Sequence, residues 1–274
     1  MNKNAINTKP QVIPCNEADV IQLTDAKPAV NTFKLLTLNM HKGFTVFNRQ
    51  FVLPELRDAV RTLSADIVFL QEVHGSHHRH AQRQKNWPDV PQYEYLADSM
   101  WPEFSYGRNA VYPHGDHGNA LLSKFPIIRY QNLDVSIGNI EQRGLLHSVL
   151  KLPGQKEIHA ICVHLGLRES HRQQQLRLLC GLVESLPATA TVIVAGDFND
   201  WRKKADSILH GCNLTEVFIA NNGKLAKSFP ARWPILSLDR IYLRNAKSVN
   251  PQVLNMRPWS HLSDHAPLAV EVHL

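Results

Sequence analysis

Short apolar runs separated by segments of helical spacing fill the chain from Phe33 onward. In the last run, Leu268, Val270 and Val272 fall on one face, because successive side chains of a strand point to opposite sides. The same criteria of length, composition and alternation predict eight strands. They cover residues 33–39, 66–72, 119–123, 145–152, 157–164, 191–195, 238–243 and 268–274.

Two segments instead carry apolar residues at the spacing of a helix that buries one face. Since the strands also show one buried face, we expect two packed, mainly antiparallel sheets with helices outside them. Residues 1–32 are polar and show no period, so we expect a flexible or loosely packed N-terminal arm before one α/β domain at 33–274. The helical stripes are Leu53, Leu56, Val60 and Leu63, and Leu176, Leu179, Cys180, Val183 and Leu186.

The composition is that of a globular protein with a basic balance. Hydrophobic residues make up 43% and charged residues 20% of the 274 residues, and the formal net charge is +6. Excess positive charge favours polyanionic partners such as nucleic acid or anionic phospholipid, although many basic proteins bind neither. No pattern indicates a protein partner.

The cysteines and the lengths of the apolar runs indicate the cellular compartment of the protein. Cys162 and Cys180 lie in apolar segments, and Cys15 and Cys212 are far from them in sequence, with no C-x-x-C pair. This predicts buried thiols in a reducing compartment rather than disulfides or a zinc site. No apolar run reaches the roughly 18 residues of a membrane span, and the N-terminus has no signal-like apolar stretch. We therefore expect a cytoplasmic protein.

Polar side chains stand where several apolar strand faces should continue. By alternation, Glu72 follows the face of Val68 and Leu70, and similar positions recur at the ends of other strands. One buried carboxylate can be a satisfied structural group, but five such positions predict one rim where polar groups converge. The five are Asn39, Glu72, His164, Asp197 and Asp239.

Six short motifs in order resemble the endonuclease/exonuclease/phosphatase superfamily, also called DNase I-like. The resemblance runs from about Phe33 to Leu274 and implies a four-layer α/β sandwich with phosphoester hydrolysis at the rim. Further segments such as N-M-H-K-G at 39–43 resemble a bacterial branch of it. The six are T-L-N (37–39), Q-E (71–72), V-H-L (163–165), G-D-F-N-D (196–200), L-D-R-I (238–241) and S-D-H-A-P-L (263–268).

The resemblance implies a divalent metal ion, Mg²⁺ or in its place Mn²⁺. Glu72 would be the main ligand with Asn39 beside it, and Asp264 would lie near the metal or the phosphate. Carboxylate oxygens suit Mg²⁺ better than they suit zinc.

The resemblance also implies a catalytic group. Asp239 would pair with His265, which raises the pKa of the imidazole and lets it stabilise phosphate charge. If the chain stays extended, Asp197 and Asn199 point the same way and hold a water and a phosphate oxygen, although an Asx turn is the structural alternative. His164 resembles a second catalytic histidine, but the sequence does not reveal its carboxylate partner.

Four further residues are candidates for binding the substrate phosphate, each with a structural alternative. Arg143 matches a phosphate-contacting position of the family, and Asn119 sits in a motif near the site. Arg168 and Arg172 could reach phosphate from the start of a helix or form a solvated helix face. By contrast, the irregular spacing of His74, His77, His78 and His80 predicts a solvent loop rather than a metal cluster.

The leading hypothesis is a Mg²⁺-dependent phosphodiester hydrolase, foremost a nuclease acting on DNA or RNA by in-line attack of water. The same site could hydrolyse a phospholipid headgroup, for which Phe44, Val46 and Phe47 offer a small apolar hairpin, or a phosphate monoester. A non-catalytic binding protein of this fold is disfavoured, because every motif position retains a competent residue type.

Overall fold

A computed structural model describes residues 29–98, 100–139, 141–154 and 157–274. Within these residues the chain forms six α-helices and two six-stranded sheets. The helices are α1 (Leu53–Leu63), α2 (His78–Arg83), α3 (Gln92–Ala97), α4 (Glu169–Ser185), α5 (Ala205–Leu209) and α6 (Val217–Asn222). The strands are β1 (Thr32–Asn39), β2 (Ile67–His77), β3 (Glu103–Tyr112), β4 (Gly115–Ser123), β5 (Ile127–Asp134), β6 (Gly144–Lys151), β7 (Glu157–His164), β8 (Thr191–Asp197), β9 (Thr215–Glu216), β10 (Asp239–Arg244), β11 (Lys247–Val253) and β12 (Leu268–His273).

The two sheets share one plan. The first has the strand order β11-β12-β1-β2-β4-β3 and the second has the order β5-β6-β7-β8-β10-β9. Each contains one parallel pair, β1 with β2 and β7 with β8, and its other pairs are antiparallel. Because parallel neighbours end at the same edge, the carboxyl ends of these four strands can supply one site.

Alternating side chains of the strands create three apolar layers. Leu35 and Phe69 of the first sheet pack with Ile193 of the second in the layer between the sheets. Their neighbours Leu36 and Val68 face outward, toward α1 and α3. On the far side, the second sheet packs against α4 and α5. The molecule is thus the predicted four-layer sandwich of helices, sheet, sheet and helices.

The apolar patterns located the central strands and missed the edges. All eight predicted strands and both predicted helices are present, with shifted ends. Strands β3, β5, β9 and β11 were missed. The sequence at 127–134 gives the reason, since most of β5 is exposed and carries polar residues on both faces. An edge strand with little buried surface lacks the alternation from which strands are recognised.

The prediction of unpaired cysteines is wrong for two of the four. Cys180 of α4 and Cys212 form a disulfide, with their Cα atoms 5.6 Å apart. The two residues are 32 positions apart in sequence, and only the packing of α4 beside the turn at His210–Cys212 brings them together. Cys162 is a buried free thiol, as expected.

The start of the domain is described from residue 29. Val30 donates its backbone N–H to the Pro153 carbonyl at 2.9 Å and packs on the inter-sheet core before β1 begins at Thr32. The rest of the predicted arm, residues 1–28, lies outside the described residues. Among the helices that are described, none has the length and apolar character needed to cross a membrane.

Candidate active site

The sheet pairing brings the predicted polar residues to one edge of the sandwich. In the second sheet, Asp197 pairs in register with His164 of β7 on one side and with Asp239 of β10 on the other. The expectation that every such residue ends its strand is wrong for Asp239. It is the first residue of β10, which runs antiparallel to β8, so its start meets the end of β8.

Glu72 reaches the site through a break in β2. Val68 and Leu70 face the outer helices, so strict alternation would have turned Glu72 outward with them. Instead the pairing of β2 with β4 shifts register between Leu70 and Val73, and Glu72 takes a left-handed backbone with φ 55°. The shared face predicted for these three residues is therefore wrong, because a bulge re-aims the carboxylate toward Asn39.

Asp197 is the centre of the site. Its Oδ2 lies 3.1 Å from Asn39 Nδ2, 3.5 Å from His164 Nε2 and 3.9 Å from His265 Nε2. Asn39 Nδ2 also donates to Glu72 Oε1 at 3.4 Å. Asp197 is only 1% exposed, so a chain of close polar contacts runs from one sheet to the other through a nearly buried carboxylate.

His265 is held by the carboxylate that the sequence predicted. Its Nδ1 lies 2.8 Å from Asp239 Oδ2, and both side chains are buried. Burial lowers the pKa of His265, but the charges of Asp239 and Asp197 outweigh it and raise the pKa to about 10. His265 is therefore an imidazolium at neutral pH, with Nε2 directed to the centre of the site.

The second histidine of the site, His164, is uncharged at neutral pH. Burial lowers the pKa of His164 to about 4, and the Arg143 guanidinium adds to the effect, so His164 is neutral at pH 7. Its contact at 3.5 Å identifies Asp197 as the neighbouring carboxylate that the sequence did not reveal. Two imidazoles in different protonation states flanking one carboxylate provide a proton donor and a proton acceptor.

A turn after β1 adds two residues that the sequence motifs contained but that received no role. Lys42 Nζ lies 2.9 Å from Glu72 Oε2, and His41 Nδ1 lies 3.4 Å from Asp264 Oδ2. Burial raises the pKa of Glu72, but positive charge at Lys42 and, in acid, at His164 holds it well below its usual range. The N-M-H-K-G segment was the available signal, since a lysine and a histidine directly follow Asn39.

Two buried serines position the segments that carry Asn39, Asp239 and His265. The hydroxyl of Ser263 donates to the Asn39 carbonyl at 2.6 Å and accepts the N–H of His265 at 3.2 Å. The hydroxyl of Ser228 accepts the N–H of Asp239 at 3.1 Å. Residues 226–236 have no helical or alternating pattern, so a role for Ser228 could not be recognised from the sequence.

Asn199 does not continue the extended direction of Asp197. Its backbone is left-handed, with φ 49°, and its N–H donates to Asp197 Oδ1 at 2.8 Å, which is the Asx turn considered as an alternative. Its Nδ2 donates to the Leu165 carbonyl. The carboxylate of Asp200 accepts the N–H groups of Lys204 and Ala205 at the start of α5.

The candidate phosphate-binding residues occupy different environments. Arg143 is half-buried and donates from Nε to the Leu165 carbonyl, which also binds Asn199. Asn119 is fully buried, and its Nδ2 donates to the carbonyls of Gly144 and Cys162. Arg168 is exposed at the N-terminus of α4.

Arg172 is a structural residue. It is 1% exposed, donates to the Gly166 and Leu167 carbonyls, pairs with Glu169 and stacks 4.1 Å from the Trp201 ring centroid. The expectation that it could reach substrate or line a solvated helix face is therefore wrong, since its guanidinium is fully used inside the protein.

The fold and the site together define a class of protein. The model of the Endonuclease/Exonuclease/phosphatase family matches residues 36–265, and the chain belongs to this family. Family members hydrolyse phosphoester bonds and generally use a divalent metal ion. The resemblance inferred from the six motifs is confirmed.

Particular relatives and structures refine the comparison. The chain is 57% identical over 245 residues to "Uncharacterized protein YbhP" of Escherichia coli strain K12, covering 89% of this chain and 97% of that protein. An endonuclease/exonuclease/phosphatase from Bacteroides vulgatus has the same fold, with a TM-score of 0.70, 17% identity and coverage of 89% and 100%. D. rerio TDP2, complexed with a single strand DNA product, aligns with a TM-score of 0.67, 16% identity and coverage of 89% and 99%.

Proposed function

We propose that this protein is a Mg²⁺-dependent phosphodiesterase that cleaves nucleic acid. The observation that carries the proposal is the placement of Asp197 between two imidazoles, the neutral His164 and the positively charged His265. Hydrolysis of a phosphodiester needs an oriented water, stabilisation of developing negative charge and proton transfers. These three side chains supply all three requirements in one nearly buried cluster.

Asp197 orients and deprotonates the attacking water. Asn39 and Asn199 hold the carboxylate, because Asn39 donates to Oδ2 and the Asn199 N–H donates to Oδ1. The His265 imidazolium, oriented by Asp239, stabilises the charge that develops on the phosphate oxygens and donates its proton to the leaving oxygen as the P–O ester bond breaks. Neutral His164 lies on the other side of Asp197 and can accept or relay a proton.

Glu72 and Asp264 are the carboxylates we assign to Mg²⁺, with Asn39 beside them. The adjacent residues His41 and Lys42 contact Asp264 and Glu72, so both carboxylates face one short turn. Hard carboxylate oxygens next to an amide form a donor set that suits Mg²⁺, with Mn²⁺ as a substitute.

Asn39 places this donor set beside Asp197, because its Nδ2 lies 3.4 Å from Glu72 Oε1 and 3.1 Å from Asp197 Oδ2. When bound, the ion would neutralise phosphate charge and polarise the scissile ester.

We assign Arg143 to direct binding of the substrate phosphate. Arg168 would bind the same substrate farther from the centre of the site. Arg143 shares the Leu165 carbonyl with Asn199, which brings its guanidinium beside the Asp197 turn. The buried Asn119 donates to the Gly144 carbonyl next to Arg143, so we assign it a positioning contribution to phosphate binding rather than a direct contact.

A groove beside the catalytic residues supports nucleic acid as the substrate class. It contains Phe47 and Trp233, which are 79% and 80% exposed, together with Arg49 and Arg232. The groove adjoins the site, because the Ala231 N–H donates to the Asp264 carbonyl at 2.7 Å. Exposed aromatic rings beside arginines can stack bases while holding the backbone. The net charge of +6 also favours a polyanionic substrate, and the structurally similar D. rerio TDP2 is complexed with a single strand DNA product.

A phospholipid substrate has less support. Of the three residues in the apolar hairpin suggested for membrane contact, Phe44 is buried against Phe51 and His80. Only Phe47 remains strongly exposed, so the suggested membrane hairpin is wrong as a three-residue surface.

A substrate panel tests the proposal. The protein is assayed on DNA, RNA, sphingomyelin vesicles, bis-p-nitrophenyl phosphate and p-nitrophenyl phosphate, with and without Mg²⁺. We expect Mg²⁺-dependent cleavage of nucleic acid and of the small diester. Preference for sphingomyelin or the monoester would contradict the substrate class, and absence of all hydrolysis would contradict the activity.

Variants of the groove sharpen the test. Trp233→Ala should reduce cleavage of nucleic acid at least about fivefold, because one base–aromatic stack is worth roughly 1–3 kcal/mol. Its rate on bis-p-nitrophenyl phosphate should not change. Tyr130→Ala, an exposed aromatic on β5 outside the groove, is the matched control. Equal effects of both variants would remove the groove from the proposal.

A further inference from the structure

We propose that His74, His77 and His80 form a second metal site, for a transition-metal cation of the Zn²⁺ class. One ligand nitrogen from each residue lies within 4.8 Å of the others. The site uses none of the carboxylates assigned to Mg²⁺ and stands independently of the proposed hydrolysis. The expectation that these histidines form a solvent loop is wrong, since His74 is 1% exposed and the other two are partly buried.

A strand that runs directly into a helix produces this grouping. His74 lies within β2, His77 ends β2, and His80 lies in the first turn of α2. The pairing of β2 with β4 shifts register between His74 and Ser76, which changes the direction of the strand. The imidazole centroids are therefore 4.8 Å (His74–His77), 5.8 Å (His74–His80) and 3.9 Å (His77–His80) apart.

His74 has the hydrogen bonding of a metal ligand. Its Nδ1 lies 3.2 Å from the Asp116 carbonyl oxygen, which can only accept, and 3.1 Å from the Tyr112 hydroxyl, which can accept or donate, so donation to the carbonyl places the proton on Nδ1. The lone pair of the neutral ring is then on Nε2. That buried atom has no hydrogen-bond partner anywhere in the described ranges of the chain. Metal-bound histidines are typically oriented by such a bond from the other ring nitrogen.

Metal binding at His77 would replace an existing hydrogen bond. Its Nδ1 accepts the N–H of His80 at 3.1 Å and thereby caps α2. A cation bound at this nitrogen would replace that acceptor contact, which is a single neutral hydrogen bond on a helix of six residues. Coordination by imidazole is much the stronger interaction, so the exchange favours the bound state.

The donor type selects the class of metal. Imidazole nitrogens favour Zn²⁺ and its transition-metal neighbours, whereas Mg²⁺ prefers carboxylate and water oxygens. Aromatic rings cover the cluster, because Trp87 stacks on His80 with centroids 5.4 Å apart and Phe44 lies 5.0 Å from the same ring. Such a shell restricts access of water to a bound ion.

Equilibrium dialysis of EDTA-treated protein against Zn²⁺, with excess Mg²⁺ present, tests this proposal. The double variant His77→Gln/His80→Gln is compared with wild type and with His78→Gln, which changes an exposed histidine between them. We expect wild type and His78→Gln to bind one equivalent of Zn²⁺ that the double variant lacks or binds at least about tenfold more weakly.

A second comparison separates this site from the catalytic centre. Glu72→Gln/Asp197→Asn should keep the same Zn²⁺ equivalent, whether or not it hydrolyses any substrate. Circular dichroism checks each fold, and His80→Gln alone replaces the double variant if that protein does not fold. The proposal would be overturned if wild type bound no Zn²⁺, if removing the histidines left binding unchanged, or if only the carboxylate variant lost it.

Discussion

His265 and Asp239 meet across the two sheets, with Nδ1 of the imidazole 2.8 Å from Oδ2 of the carboxylate. Asp239 begins β10 of the second sheet, whereas His265 precedes β12 of the first. The contact therefore depends on the packing of the sandwich, and it holds the imidazole with Nε2 3.9 Å from Asp197. The raised pKa of His265 therefore depends on tertiary structure at this one pair.

Asp239→Asn should lower kcat for bis-p-nitrophenyl phosphate by at least about 100-fold, because the imidazole loses its orienting and charge-stabilising partner. Burial lowers the pKa of His265, and Asp239 is the largest of the carboxylate contributions that raise it to about 10, so removing that charge lowers the pKa and shifts the alkaline limb of the pH–rate profile to lower pH. Asp58→Asn, an exposed change, is the control. An unshifted alkaline limb would show that His265 does not act as the charged group.

Asn39→Asp should make the fold depend on metal. The Asn39 amide donates to Glu72 at 3.4 Å and to Asp197 at 3.1 Å, so a carboxylate there would face two like charges. In EDTA we expect the free energy of unfolding to fall by about 1–3 kcal/mol, with partial recovery in Mg²⁺. Urea unfolding measures both values, with Asn250→Asp on β11 as the control. Equal losses with and without Mg²⁺ would be inconsistent with a cation beside Asn39.

Arg168 and Arg172 should differ in what they affect. Arg172→Ala removes buried hydrogen bonds and a stacked guanidinium, so we expect the free energy of unfolding to fall by about 2–4 kcal/mol. Arg168→Ala should change stability by less than about 0.5 kcal/mol while raising KM for nucleic acid several-fold. Urea unfolding and steady-state kinetics separate the two, and an unchanged KM would remove Arg168 from substrate binding.

Glu216→Gln should stabilise the protein more in alkali than in acid. Burial raises the pKa of Glu216 from 4.5 to about 7, so its contribution to stability is complete below pH 4.5 and is lost as the pH rises through 7. The advantage of the variant should therefore grow by roughly 3 kcal/mol between these limits. Urea unfolding at pH 5 and pH 8 measures it. A constant difference would mean that Glu216 titrates normally in the folded protein.

The sequence was sufficient to predict a site residue where the apolar pattern of its own strand shows that its side chain is buried. Asn39, His164 and Asp197 continue buried faces that alternation reveals, and ordered motifs linked them to one family. Alternation failed at Glu72 and at the start of α2, where bulges in β2 redirect side chains. It also could not find Ser228 or the Cys180–Cys212 pair, since these contacts form between segments that only the tertiary packing brings together.

The most direct measurement is hydrolysis of bis-p-nitrophenyl phosphate by EDTA-treated protein as Mg²⁺ is restored. Wild type should be inactive in EDTA and regain its rate with Mg²⁺, whereas Glu72→Gln, Asp197→Asn and His265→Ala should each stay at least about 100-fold slower. Circular dichroism confirms that each variant is folded. Full wild-type activity in EDTA, or near-normal rates in all three variants, would contradict a metal-assisted phosphodiesterase centred on Asp197.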